Sequence, residues 1–179
     1  MAQTFGNLGS VYLQKGEWDK AIEFYQQSLA IKEQLGDRHG MAQTYNNLGL
    51  VYADKGEWDK AIEFYQQSLA IKEHLGDRHG MAQTFGNLGL VYANKGAWDK
   101  AIEFYQNALA TMEQLGDVVG LASTSWNLAL VYESQGKIAQ AIELMEKAVA
   151  IEKKIGHPDA AKDAEYIARL RGAQRTRAD

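Results

Sequence analysis

The sequence predicts an all-α fold: a solenoid, or α-α superhelix, of four helical hairpins followed by a C-terminal capping helix. Three observations carry this. The forty residues Met1 to Gly40 return from Met41 to Gly80 with 34 of 40 unchanged. The same period continues with 29 of 40 shared between the second and third units and 14 of 40 between the third and fourth. A fixed period of this length marks units that stack on their neighbours, because one unit alone cannot bury its apolar face. Within each unit the apolar residues recur at helical spacing. A single proline, Pro158, stands in the whole chain, which leaves room for long helices.

The first helix of a unit is read over Met1 to Gly16. At about 100° per residue, Phe5, Leu8, Gly9 and Tyr12 fall on one arc, and Gln3, Gly6, Asn7, Ser10 and Gln14 on the opposite one. Gly9 offers a small surface where a partner helix approaches closely. Gly16 supplies the left-handed stop, as Gly56, Gly96 and Gly136 do later.

The second helix starts near Trp18 and runs to Leu35. Trp18, Ala21, Ile22, Tyr25 and Leu29 form one apolar stripe, and Phe24, Ser28, Ile31 and Leu35 a second beside it. Together they are wider than one neighbour requires, so this helix is expected to pack on its own partner and on the next unit. The Trp18, Trp58 and Trp98 series is read as core. Gly36 ends the helix, and Asp37 is placed to cap the next one. Short links of this kind force antiparallel neighbours.

The predicted organisation is one domain over residues 1–171, with units at 1–40, 41–80, 81–120 and 121–160. Pro158 suits the first turn of a capping helix at about 158–171. Residues 172–179 hold no apolar side chain beyond alanine and are read as a disordered tail. No cap precedes the first unit, so an open stacking face is expected there.

Composition narrows the function. A net charge of −4 argues against a nucleic-acid partner, which calls for a basic footprint. No apolar run approaches the roughly 20 residues of a membrane span. The absence of cysteine excludes disulfides and thiolate metal sites and permits a cytoplasmic setting. The four histidines fall at linkers or helix ends, and no phosphate loop, nucleophile elbow or HExxH segment is present. No metal or cofactor is expected, and an enzyme is not expected.

The spacing Leu8-Gly9-x2-Tyr12 followed by Gly16, Ala21 and Tyr25 resembles the tetratricopeptide repeat (TPR), matched four times in register over about Met1 to Ile155. Two departures stand out. The family's proline near the unit's end is missing, and the period is 40 instead of 34. This longer form, with its Asn-Leu-Gly-x-x-Tyr run and Leu-Gly-Asp link, resembles the repeats of the LGN/Pins polarity adaptors and of kinesin light chains, and is related to those of bacterial peptide-sensing regulators. The resemblance implies a TPR-like fold and a protein-interaction module whose inner-helix asparagines hold a peptide backbone. The matching residues are Asn7, Asn47, Asn87 and Asn127. Chaperone-binding members carry a lysine and arginine clamp on this inner face. Here Gln, Gly, Asn, Ser and Leu stand in its place, which argues against an EEVD-type tail as ligand.

A carboxamide both donates and accepts, so a row of asparagines can grip an extended chain whatever its side chains. It can equally tie one repeat to the next. Beside the row lie Gln43 and Gln83, then Leu50 and Leu90, then Asp54 and Asn94. Leucines on a face expected to be wet are either a binding surface or residues covered by the array's inner curve. The sixth position of each unit varies as Gly6, Asn46, Gly86 and Trp126, and Trp126 is either an anchor for a ligand or a partner of Tyr166. The expected function is a scaffold binding an extended or helical peptide in a concave groove. The alternatives are a structural module that self-assembles through its terminal repeats, and a ligand-sensing fragment of a larger regulator.

Overall fold

The computed structural model describes residues 1–175, with the side chain of the last left aside. All regular structure among them is helical: α1 Ala2–Gln14, α2 Trp18–Leu35, α3 Arg38–Asp54, α4 Trp58–Leu75, α5 Arg78–Asn94, α6 Trp98–Leu115, α7 Val118–Ser134, α8 Ile138–Ile155 and α9 Ala160–Arg175. The all-α repeat reading holds, with two short linkers in each forty-residue period. The chain falls into two compact units, Met1–Val91 and Tyr92–Asp179, each taken by itself below.

The same local devices recur at the three linkers that join one repeat to the next. Gly36 adopts φ 65°, a left-handed conformation that glycine takes without strain, and Asp37 N–H then reaches back to Lys32 O at 2.9 Å. Asp37 caps α3 by accepting from Gly40 N–H at 2.9 Å. Asp77 and Asp117 do the same for Gly80 and Gly120. We expect Asp37→Ala to cost about 1 kcal/mol in a urea unfolding experiment, and Asp37→Asn far less, because asparagine keeps the accepting oxygen. Equal losses for the two variants would remove capping as the reason for this residue.

In the first unit α1 packs on α2, α2 on α3 and α3 on α4. The core gathers Ala21, Tyr25, Leu48 and Val51, with Tyr12, Leu13, Ile22, Leu29 and Phe64 around it. Close approach of α3 and α4 depends on Gly49, whose missing Cβ would sit 2.7 Å from the Tyr65 ring. Ser28 Oγ donates to Ala2 O at 2.9 Å and Ser68 Oγ to Ala42 O at 2.8 Å, pinning each long helix to its own partner. Tyr52 stacks on Phe64 with centroids 5.3 Å apart, and the Lys60 ammonium lies over the Tyr52 ring.

In the second unit α7, α8 and α9 enclose Ala129, Ala141, Ile142, Met145, Val149 and Ile167. The terminal helix continues past its expected end, so Gly172 to Arg175, read from sequence as tail, are helical. One glycine costs a helix about 1 kcal/mol and does not by itself stop it. The rest of that predicted tail, 176–179, lies outside the described residues.

Two core assignments need correction. Leu35, placed in an apolar stripe, is 73% exposed, and Trp18, read as core, is also exposed. Both stand at the ends of α2. Trp58 and Trp98 are half-buried.

Candidate functional site

The long helices set the floor of the site. Ala21, Tyr25, Ser28 and Lys32 follow one another at helical spacing along α2, and all four are buried. The same line on α4 is Ala61, Tyr65, Ser68 and Lys72. The lysines were missed in the sequence reading, although their position in line with the tyrosine and serine was the available signal. Lys72 Nζ donates to Thr84 Oγ1 at 2.7 Å and to Gly80 O at 3.3 Å. Thr84 in turn donates to Gly80 O at 2.9 Å. Burial pushes the Lys72 ammonium below its ordinary value, and the Asp77 carboxylate works in the opposite direction.

Above Lys72, α3 and α5 frame a cavity of about 420 Å³ lined by His39, Gln43, Asn46, Asn47, Lys72, Asp77, His79, Gly80 and Gln83. Four residues singled out by sequence thus meet in one place: Gln43, Asn46, Asn47 and Gln83. Gln43 Nε2 donates to His39 Nε2 at 3.0 Å, and Gln83 repeats the contact with His79. Asn87 Nδ2 donates to Asn46 Oδ1 at 3.3 Å, so this asparagine does tie one repeat to the next. Asn47, half-buried, lines the cavity itself.

Leu50 and Leu90 keep 40% and 48% of their surface open, so neither is covered by packing within the chain. Asp54 and Asn94 are exposed beyond them. The other candidates stand elsewhere. Asn7 accepts from Gln3 Nε2 at 3.0 Å on exposed α1 surface. Asn127 and Trp126 belong to the second unit, where the Trp126 ring packs on Tyr166 with centroids 5.9 Å apart and joins the core around Ile167. Among the described residues no group of three or more His, Asp and Glu side chains is placed to hold a metal ion. Nor is any described helix long and apolar enough to cross a membrane.

What the site presents is a set of amide donors and acceptors, two imidazoles and a buried ammonium, with exposed leucine nearby. The chain that carries it repeats a forty-residue hairpin. The tetratricopeptide repeat family model matches residues 1–74 and 80–154. The chain belongs to the tetratricopeptide repeat family. These repeats are generally protein-interaction modules.

No curated protein matches this tetratricopeptide repeat chain in sequence. Solved structures match its fold at low identity. The kinesin light chain of Podosopora anserina, with nearly identical TPR-like repeats, superposes with TM-score 0.78 at 23% identity, covering 98% of this chain and 88% of that one. BtubC (BKLC) from P. vanneervenii gives 0.76 at 22%, covering 97% and 80%. Aspartyl phosphate phosphatase F from Bacillus subtilis gives 0.87 at 19%, covering 93% of this chain but 44% of that one. The kinesin light chain likeness agrees with the resemblance drawn from the Asn-Leu-Gly-x-x-Tyr run.

Proposed function

We propose that this tetratricopeptide repeat protein is a cytoplasmic interaction scaffold that binds an extended or helical segment of a partner protein across α3 and α5. The observation that carries this is the cavity where Gln43, Asn46, Asn47 and Gln83 converge beside exposed Leu50 and Leu90. Amides on both walls match the alternating N–H and C=O groups of a peptide, and exposed leucines supply apolar contact. Asn47 is assigned as a backbone clamp, and Asn87 as the residue that holds the Asn46 amide beside it. Asn7, Asp54, Asn94, Asn127 and Trp126 stay candidates for further contacts within their own units.

Panning a display library of unstructured peptides on the chain tests the reading. Peptides should be enriched by the parent and lost with Asn47→Ala/Asn87→Ala, whose helical circular dichroism should match the parent. Removing the Asn47 contact and the Asn87 bond that holds Asn46, at about 1 kcal/mol each, predicts a weakening of roughly thirtyfold. Enrichment equal for both forms would move binding off this surface.

A second reading, self-association through α1, is favoured by one observation. Leu8 and Val11 are exposed, whereas Leu48 and Val51, one period later, are fully buried under neighbouring helices. Sedimentation velocity over a wide concentration range separates the two, since only this second reading predicts a mass that rises with concentration.

A further inference from the structure

Lys72 is only 6% exposed, yet it lines the α3–α5 cavity. Two of its three N–H bonds are spent, on Gly80 O and Thr84 Oγ1, and both acceptors are neutral. The Asp77 carboxylate offsets only part of the desolvation cost of this buried cation, and an approaching anion offsets more of it. The fold does not demand a lysine here. One period later Met112 fills the same place and is contacted by Thr124 Oγ1 at 3.4 Å. One period earlier Lys32 repeats the arrangement, with Gly40 O at 3.2 Å and Thr44 Oγ1 at 2.8 Å.

We infer that Lys72, with Asn47 and Gln83 on the same walls, binds one carboxylate of the peptide that occupies the cavity, so that the ligand carries an acidic group at this point. The inference rests on the peptide-binding reading above and adds a charge requirement to it. The cation stands on the long helix of its hairpin, and no lysine or arginine stands at the inner-helix positions of the cavity wall. A carboxylate fits better than a phosphate. The site offers a point charge and amide N–H groups without a guanidinium fork, and Asp77 on the same wall opposes a second negative charge. An aspartate or glutamate side chain and a chain end present the same group.

Three blocked amino acids serve as probes, each followed through the Lys72 15Nζ signal of the full chain. N-acetyl-aspartate N-methylamide carries the side-chain carboxylate, N-acetyl-alanine the terminal one, and N-acetyl-asparagine N-methylamide neither. At least one carboxylate probe should bind about tenfold more tightly than the asparagine probe, and the tighter of the two identifies the source. Lys72→Met should abolish the preference, and Met112 shows that the fold takes methionine at this place. Asn47→Asp leaves both Lys72 bonds in place and should weaken the carboxylate probes by about tenfold through repulsion. Equal binding of aspartate and asparagine probes overturns the charge requirement while peptide binding stands. A Lys72 signal that no probe moves overturns the inference outright, whatever peptides the library returns.

Discussion

Replacing Gly49 with alanine is expected to destabilise the protein by about 1–3 kcal/mol, and combining it with Tyr65→Met is expected to recover most of that loss. The new methyl group would lie 2.7 Å from carbons of the Tyr65 ring, which is fully buried and too stiff to yield. Alanine is the better helix former by just under about 1 kcal/mol, so the clash outweighs the gain in propensity. The chain already contains the compensated pair. In the fourth repeat Ala129 replaces the glycine and Met145 the tyrosine, and both are fully buried. Methionine bends around a methyl group that an aromatic ring cannot avoid. Urea unfolding of the parent, the two single variants and the double variant forms a thermodynamic cycle. A double variant that loses the sum of the two single costs would show that the ring does not dictate the glycine.

Glu152 gives the second large effect, with a defined pH dependence. It occupies the α8 position that corresponds to Lys32 and Lys72, is 7% exposed, and leaves Oε2 buried without a hydrogen bond. Burial raises its pKa above the ordinary carboxylate value, helped by Asp163 and Asp159 and opposed by His157. A carboxyl group whose folded-state pKa is raised contributes stability that is fully present below its unfolded value of 4.5 and is lost as pH rises through the folded value. The second unit should therefore be more stable in mild acid than at neutral pH. Glu152→Gln should flatten that dependence. Glu152→Lys at pH 7 removes the buried negative charge and sets an ammonium against Asp163 and the Ala160 carbonyl, for a gain of about 1–3 kcal/mol. Unfolding followed by circular dichroism checks all three forms. A Glu152→Gln protein that keeps the parental pH profile would assign the dependence to another group.

Much of the fold was legible because its cause is local and repeated. The forty-residue period, Gly36 and Asp37 at the linker and the small Gly9 each follow from one backbone or packing requirement, and the structure meets it at the same place in successive units. The misreadings share a physical origin. Lys32 and Lys72 were passed over because a charged side chain is normally solvated, although their angular position put them in line with Tyr25 and Tyr65. Leu35 has the angle of a core residue, but it is the last residue of α2 and is exposed. For the site, sequence placed Gln43, Asn46, Asn47 and Gln83 at matching registers but could not show that α3 and α5 hold them around one cavity. It also could not divide the asparagines into those that tie repeats together, such as Asn87, and those that face open space, such as Asn47. That division depends on the distance between two helices.

The serine and lysine contacts of the long helices also bear on how such a chain changes length. Ser28 and Ser68 bond within their own hairpins, while Lys32 and Lys72 reach forward to an identical pair of acceptors, Gly40 and Thr44 or Gly80 and Thr84. Removing residues 38–77 would bring Lys32 to Gly80 and Thr84 in place of Gly40 and Thr44. A hairpin of this kind is a cassette with the same plug and socket at both ends. Loss or gain of a whole cassette is then a smaller perturbation than many single substitutions inside one.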